Sequence, residues 1–233
     1  MISVIIPAYN QENNLRDCLN GLLAQDFRDL EIILVNDGSI DNTLLVAQEF
    51  KQSFEKAGIR FEIIEQDNKG APAARNRGFR ASRGEFIIFC DADAVLEKNC
   101  LSEMMSALES HLEASYVYSS HYWGKKIFRL WPFDAQKLRE MPYIHSVSLI
   151  RRKDFPRGGW DENIKRLQDW DLWLTMLEQG HLGVWINKPL FKILTGGTMS
   201  SWLPSLAYRF LQFLPQVKKY QAAVKIIKEK HHL

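Results

Sequence analysis

Long hydrophobic runs are absent. Nowhere in the 233 residues do apolar side chains continue for the roughly 18 positions a membrane-spanning helix needs. The short apolar opening, Met1 to Asn10, has no basic start and no small-residue cleavage site, which argues against a secretory leader. Cysteine is scarce. Cys18, Cys90 and Cys100 form no CxxC and cannot all pair, so neither a disulfide framework nor a zinc site is expected, and a reducing cytosol is the simplest reading. The formal net charge is only +2, too small for a general attraction to nucleic acid. No GxGxxG follows the first strand-like run and no GxxxxGK[ST] occurs, which argues against a nicotinamide dehydrogenase and a P-loop kinase. There is no internal repeat and no low-complexity tract. What remains is a globular composition, 46% hydrophobic and 25% charged, long enough to bury a sizeable core.

The first half alternates two hydrophobic periods. Ser3–Pro7, Glu31–Val35, Phe61–Ile64 and Phe86–Cys90 are short apolar runs suited to buried strands. Between them lie helix patterns: Leu15, Leu19, Leu22 and Leu23; then Leu44, Leu45, Ala47 and Phe50, with Asp41 as cap and Gly58 as stop; then Gly70 to Arg83, ended by Gly84. This order predicts an α/β fold with a mostly parallel sheet flanked by helices. In such sheets ligands bind beyond the carboxyl ends of the strands. The polar clusters fall at those ends: Ala8-Tyr9-Asn10, Asn36-Asp37-Gly38, Gln66 to Gly70 and Asp91 to Asp93.

The second half is less regular. A helix is expected around Leu101, Met104, Met105 and Leu108, strands at Tyr116–Ser120 and Ser146–Ile150, and a helix over Asp169–Gln179 stopped by Gly180. Trp123 to Tyr143 reads as loop with a short helix. The expected organisation is a single domain over 1–200, its two halves being 1–100 and 101–200, followed by a helical tail over 201–233. That tail joins apolar Trp202, Leu203, Leu206, Phe210, Leu211, Phe213 and Leu214 to a Lys-rich stretch with Lys218, Lys219, Lys225, Lys228 and Lys230. It reads either as a helix on an anionic membrane surface, through 202–230, or as a helix packed on the domain.

Asp91-Ala92-Asp93 ends a buried strand, and carboxylates one residue apart in extended backbone point to the same side. Such hard oxygen ligands suit Mg²⁺ or Mn²⁺, which combine carboxylates with substrate phosphates and water; the plain alternative is a polar strand end. Asp37 offers a carboxylate to a base or ribose, or is an ordinary turn residue. In Asn68-Lys69-Gly70-Ala71-Pro72-Ala73-Ala74-Arg75-Asn76, glycine and small residues allow close backbone approach at a helix start, and Arg75 is placed to reach a phosphate. Asp169 stands at a helix start as either a cap or a proton acceptor, with Asp171 as its rival. Trp160 and Trp170 are either core or flat walls for a sugar ring. His111, His121, His145 and His181 show no metal spacing and read as structural or solvated.

Taken in order, Ser3-Val4-Ile5-Ile6-Pro7-Ala8-Tyr9-Asn10, Val35-Asn36-Asp37-Gly38-Ser39 with Asp41 and Thr43, Asn68-Lys69-Gly70 with Ala74-Arg75-Asn76 and Gly78, and Gly84-Glu85 leading to Asp91-Ala92-Asp93 resemble the family-2 glycosyltransferases of the GT-A fold. The resemblance resumes at Gly158-Gly159-Trp160-Asp161-Glu162 and Gln168-Asp169-Trp170-Asp171-Leu172-Trp173. It implies a Rossmann-like sheet with a nucleotide-sugar-binding half (1–100) and a smaller acceptor-side lobe (101–200). It further implies an inverting, metal-dependent transferase of hexosyltransferase type using Mn²⁺ or Mg²⁺. The donor would be a nucleotide sugar, and the acceptor a glycan, a lipid-linked molecule or a protein. Such an enzyme would act in cell-surface polysaccharide or glycolipid assembly, in the cytoplasm or peripherally at the inner membrane face. By this resemblance Pro7, Ala8 and Tyr9 frame the base and Asp37 binds it. Lys69, Gly70 and Arg75 lie near base and phosphates. Asp91 contacts ribose or metal, Asp93 binds metal, and Asp169 is the general base. Two positions depart from the family's pattern. Thr195 stands where many relatives have a His, and Gln168 where many have Glu. A non-catalytic sugar-nucleotide-binding partner is the alternative. A nucleotidyltransferase is disfavoured, because Ala8-Tyr9-Asn10-Gln11-Glu12 supplies no phosphate loop.

Overall fold

A computed structural model describes residues 1–194 and 214–233. Its centre is a sheet whose first four strands, β1 (Ile2–Ala8), β2 (Leu30–Asp37), β3 (Arg60–Gln66) and β4 (Phe86–Phe89), lie in the order β3-β2-β1-β4 and pair in parallel. The helices α1 (Leu15–Leu23), α2 (Thr43–Glu49), α3 (Lys51–Lys56) and α4 (Ala71–Ala81) connect them. Alternating side chains of β1 feed two cores: Val4 and Ile6 pack with α1, α2 and α3, whereas Ile5 faces the opposite layer. Gly78 lets α4 lie directly on the sheet, because a Cβ there would stand 2.5 Å from Cγ2 of Ile5.

Beyond β4 the pairing changes. The remaining described strands are β5 (Ala94–Leu96), β6 (Tyr116–Trp123), β7 (Lys126–Phe128), β8 (Leu149–Arg151) and β9 (Gly183–Ile193). They extend the sheet as β4-β8-β6-β9-β5, with β7 on β6. The β4–β8, β6–β8, β5–β9 and β6–β7 pairs are antiparallel, and β6–β9 is parallel. The sheet is therefore mixed: parallel through its first four strands, as expected, with antiparallel pairs beyond them. Helices α5 (Cys100–Ser110), α6 (Ala135–Glu140), α7 (Gln168–Glu178) and α8 (Pro215–Lys230) complete the layers.

Several local expectations shift. The second helix is two short helices, and its buried face is Val46, Ala47, Phe50 and Phe54, while Leu45 is 56% exposed. Asn42 occupies the position before α2 but makes no side-chain cap bond; Asp41 accepts the Thr43 N–H at the helix start at 3.0 Å and the Glu12 N–H at 3.1 Å, tying two loops together. The strand expected from Ser146 begins at Leu149. Strands β5, β7 and β9 had no clear apolar signal. In the tail, α8 buries Val217, Ala223 and Ile227, and its end bonds to the domain through Lys230 and His231. No described helix is long and apolar enough to cross a membrane. The apolar stretch 202–213 lies outside the described residues.

Gly38 follows β2 with φ +71°, and a Cβ there would sit 2.8 Å from the backbone N of Asn68. Gly38→Ala is expected to destabilise the protein by about 1–3 kcal/mol, read by urea denaturation. An unchanged midpoint would show that the 66–70 loop yields freely.

Candidate functional site

The carboxyl ends of β1, β2 and β4 converge on one edge of the sheet, and Arg75 is the hub there. It projects from the second turn of α4 and is only 5% exposed. Its Nη2 donates to Oδ1 of Asp91 at 2.7 Å and its Nη1 to Oε1 of Gln168 at 3.0 Å. Its guanidinium lies 4.4 Å from the ring centre of Trp160. The same cation bears electrostatically on Asp91, Asp169 and Asp93. Residues far apart in sequence thus form one cluster of three carboxylates around a buried guanidinium.

Asn76, the next residue, fastens the loop that carries Trp160 and Glu162. Its Oδ1 accepts the Trp160 N–H at 2.8 Å, and its Nδ2 donates to the Trp160 carbonyl and to Glu162, both at 2.9 Å. Gly159 permits this approach, with φ +67° and no room for a Cβ beside Asn76 Oδ1.

Each carboxylate has a distinct environment. Burial alone would raise the Asp91 carboxyl, but Arg75 and His145 outweigh it and hold it below the ordinary range, aided by a hydrogen bond from Ser146 Oγ at 3.2 Å. Burial followed by the charge of Asp91 pushes Asp93 up to about 6. Asp169 is raised by burial and by Asp91, against the opposing pull of His145 and Arg75. Its Oδ2 accepts the Ser146 N–H at 3.0 Å. A partly exposed carboxylate whose pKa has moved toward neutrality is a suitable proton acceptor.

A second cluster lies at the end of β2. Asp37 is 2% exposed and accepts from Gln66 Nε2 at 2.7 Å, Lys69 N at 2.9 Å and Gly70 N at 2.8 Å. That takes three of roughly four acceptor directions of a carboxylate, so Asp37 chiefly shapes the 66–70 loop and has one direction left for a ligand. Lys69 is exposed, Pro7 is partly exposed, Ala8 is buried and Tyr9 is 39% exposed at the end of β1. Tyr9 is therefore the residue of that trio with a face to offer.

Other expected residues offer the site no open surface. Trp160 and Trp170 are 2% and 1% exposed. One face of Trp160 is covered by Arg75 and its edge meets Phe89, while the indole N–H of Trp170 donates to the Leu138 carbonyl. Neither has a surface to hold a sugar ring, and both are core. Asp171, two residues after Asp169 and so on the far side of α7, pairs with Lys230 at 2.7 Å and His231 at 2.9 Å. This pairing removes it as a rival base. A hollow of about 570 Å³ on that side, lined by Asp161, Asp171, Glu178 and Lys230, contains none of the three clustered carboxylates. Thr195 lies outside the described residues.

Two site residues had no clear signal in the sequence. Ser146 is fully buried and bonds to both Asp91 and Asp169. His145, read from the sequence as structural or solvated, bears electrostatically on Asp91, Asp93 and Asp169. Both arrive because β8 runs antiparallel beside β4, which brings the segment before β8 to the end of β4. Only that pairing would have identified them.

Asp93 is the group that fits a cation. Both oxygens of Asp91 already accept a side-chain hydrogen bond, whereas the Asp93 carboxyl is raised by burial and by the charge of Asp91, both of which a bound cation would offset. Among the described residues no group of three or more His, Cys, Asp or Glu forms a complete cage. An Mg²⁺ or Mn²⁺ there would need substrate oxygens and water to fill its shell, which is how these ions commonly bind. A consequence for stability follows. The Asp93 carboxyl titrates near 3.8 in the ordinary state and at about 6 when folded, so its ionised form opposes folding fully above 6 and not at all below 3.8. Asp93→Asn is expected to stabilise metal-free protein at pH 7.5 by about 2 kcal/mol, with the gain gone by pH 3.5. Thermal melts in chelator at the two pH values measure it; an equal gain at both would exclude charge as the cause.

Comparisons with known proteins bear on the family and the fold. The profile of the family described as Glycosyl transferase family 2 matches residues 3–160. A putative glycosyltransferase, EpsH of Bacillus subtilis (strain 168), is 40% identical over 104 residues, covering 45% of this chain and 29% of the relative. The chain thus spans under a third of that relative's length. The structure of S. aureus TarS residues 1–349 in complex with UDP-GlcNAc superposes with a TM-score of 0.72 at 19% identity, covering 91% of this chain and 64% of that one. The mannosyltransferase PcManGT of Pyrobaculum calidifontis, in complex with GDP-Man and Mn²⁺, gives 0.69 at 17% identity, covering 95% and 64%. At these identities the two structures speak for the fold, which is that of the GT-A glycosyltransferases.

Proposed function

The chain belongs to glycosyl transferase family 2, and on that premise we propose that it is an inverting enzyme moving a sugar from a nucleoside diphosphate sugar to an acceptor hydroxyl. The observation that supports this reading best is the gathering of Asp91, Asp93 and Asp169 around Arg75 at the carboxyl ends of parallel strands. Direct displacement at the anomeric carbon needs a leaving diphosphate on one side and a deprotonated hydroxyl on the other. Asp169 takes the acceptor proton, held in place by the Ser146 N–H at 3.0 Å. Arg75 keeps Asp91 ionised and oriented. Tyr9 and the loop organised by Asp37 receive the nucleotide. Asp93, with Asp91 beside it, would hold Mn²⁺ or Mg²⁺, which when bound neutralises charge on the departing diphosphate.

The donors printed for the TarS and PcManGT complexes, UDP-GlcNAc and GDP-Man, support a nucleotide-linked sugar for this chain. We assign the acceptor to a cell-surface polysaccharide or glycolipid, and the exposed Lys218, Lys219 and Lys225 on α8 favour contact with an anionic membrane face. The test is incubation with UDP-, GDP- and dTDP-linked sugars, Mn²⁺ and membrane extract, followed by NMR of the first product. The expected result is release of one nucleoside diphosphate and an inverted anomeric centre. A retained centre would remove the single-displacement mechanism.

A further inference from the structure

We propose that His145 contacts the transferred sugar of the bound donor as a hydrogen-bond donor and so helps determine which sugar is accepted. The inference rests on the donor being a nucleoside diphosphate sugar, as argued above. In a direct displacement the transferred ring lies between the leaving diphosphate and the attacking hydroxyl. Asp93 marks the first of these places and Asp169 the second. His145 directly precedes Ser146, whose N–H bonds to Asp169 at 3.0 Å and whose hydroxyl bonds to Asp91, two residues from Asp93, at 3.2 Å. Its ring therefore borders the space the sugar must occupy.

The local structure turns this one side chain outward and fixes its chemistry. From Tyr143 to Ile150 every residue is buried except His145, which is partly exposed. Its ring rests on Phe191, with centroids 5.3 Å apart, and on His121, at 5.6 Å. His121 is itself stacked between Phe128 and Phe191, so the support is rigid. Nδ1 of His145 accepts the Val147 N–H at 3.1 Å. With that lone pair used, the neutral ring carries its proton on Nε2. Among the described residues Nε2 has no hydrogen-bond partner. An N–H so placed donates; it does not ligate a cation. Its partner is an oxygen acceptor of the sugar, either a hydroxyl or an N-acyl carbonyl. The three nearby carboxylates accept only, so His145 supplies a donor on a wall otherwise rich in acceptors.

Calorimetry in Mn²⁺ tests this without turnover. Wild type, His145→Ala and His145→Gln are titrated with UDP-, GDP- and dTDP-sugars and with bare UDP, GDP and dTDP. For the preferred donor, His145→Ala should weaken binding roughly tenfold while leaving the parent nucleoside diphosphate within about twofold. Discrimination against the epimer at the contacted position should shrink, and His145→Gln, which retains an N–H, should recover part of both. Equal weakening of sugar donor and bare nucleotide would overturn the proposal in favour of a phosphate contact or a structural role. No change in either would overturn it outright. A wild type that binds neither nucleotides nor nucleotide sugars would instead overturn the donor assignment beneath it.

Discussion

Asp169→Asn is expected to lower kcat by about 10²- to 10⁴-fold while leaving donor affinity within a few-fold. The amide keeps the shape of the side chain and can still accept the Ser146 N–H through its oxygen, so the end of α7 should stay in place. What it loses is the capacity to take a proton. Donor binding should persist because the nucleotide and metal contacts assigned above lie on Tyr9, the 66–70 loop and Asp93. The wild-type rate should also fall on the acid side at a pH above the ordinary carboxylate range, because burial and Asp91 raise the Asp169 carboxyl. Steady-state kinetics and calorimetry on the same preparation measure both effects. A variant that turns over normally would move the base elsewhere. A wild type that binds donor but transfers nothing to any acceptor would support a binding-only protein.

Arg75→Met should damage fold and site together. The guanidinium is buried, pairs with Asp91 and Gln168, and covers Trp160. Removing one member of a buried pair leaves the other charge uncompensated, which costs about 3–5 kcal/mol. The melting temperature should fall by roughly 10 °C. Asp91, Asp93 and Asp169 would then face one another without their shared cation, so their carboxyls should titrate higher. Arg75→Lys keeps a charge but cannot reach Asp91 and Gln168 with a planar fork, and should recover only part of the loss. Thermal melts of wild type and both variants decide this. Equal stability in all three would mean that solvent already screens the cluster.

How far the site was legible in the sequence depended on how local its parts are. The strands β1, β2 and β4 announce themselves as apolar runs, and each ends in a polar cluster, so Asp37, Asp91 and Asp93 could be placed at one edge. Asp169 could be named by motif. Its partner could not, because Ser146 reaches Asp169 across 23 positions and Asp91 across 55. Those contacts depend on β8 pairing with β4, and nothing in Leu149–Arg151 encodes that choice of neighbour. Strand β9 escaped for a different reason: Gly183–Ile193 mixes Lys188, Pro189 and Lys192 into a partly exposed run and lacks a continuous apolar face. Trp160 and Trp170 show the limit of residue type as a guide. An aromatic ring can serve a sugar or a core, and only burial separates the two.

The most direct test of the central claim is binding of UDP, GDP and dTDP to wild type and Asp93→Asn, each with Mn²⁺ and with chelator. The account predicts that one nucleoside diphosphate binds wild type at least tenfold more tightly with Mn²⁺, that chelator removes this gain, and that Asp93→Asn never shows it. Below about pH 6 the gain should shrink as Asp93 takes up a proton in competition with the metal. Failure of all three nucleotides to bind, with and without metal, would contradict the assignment of this edge as a nucleotide-sugar site.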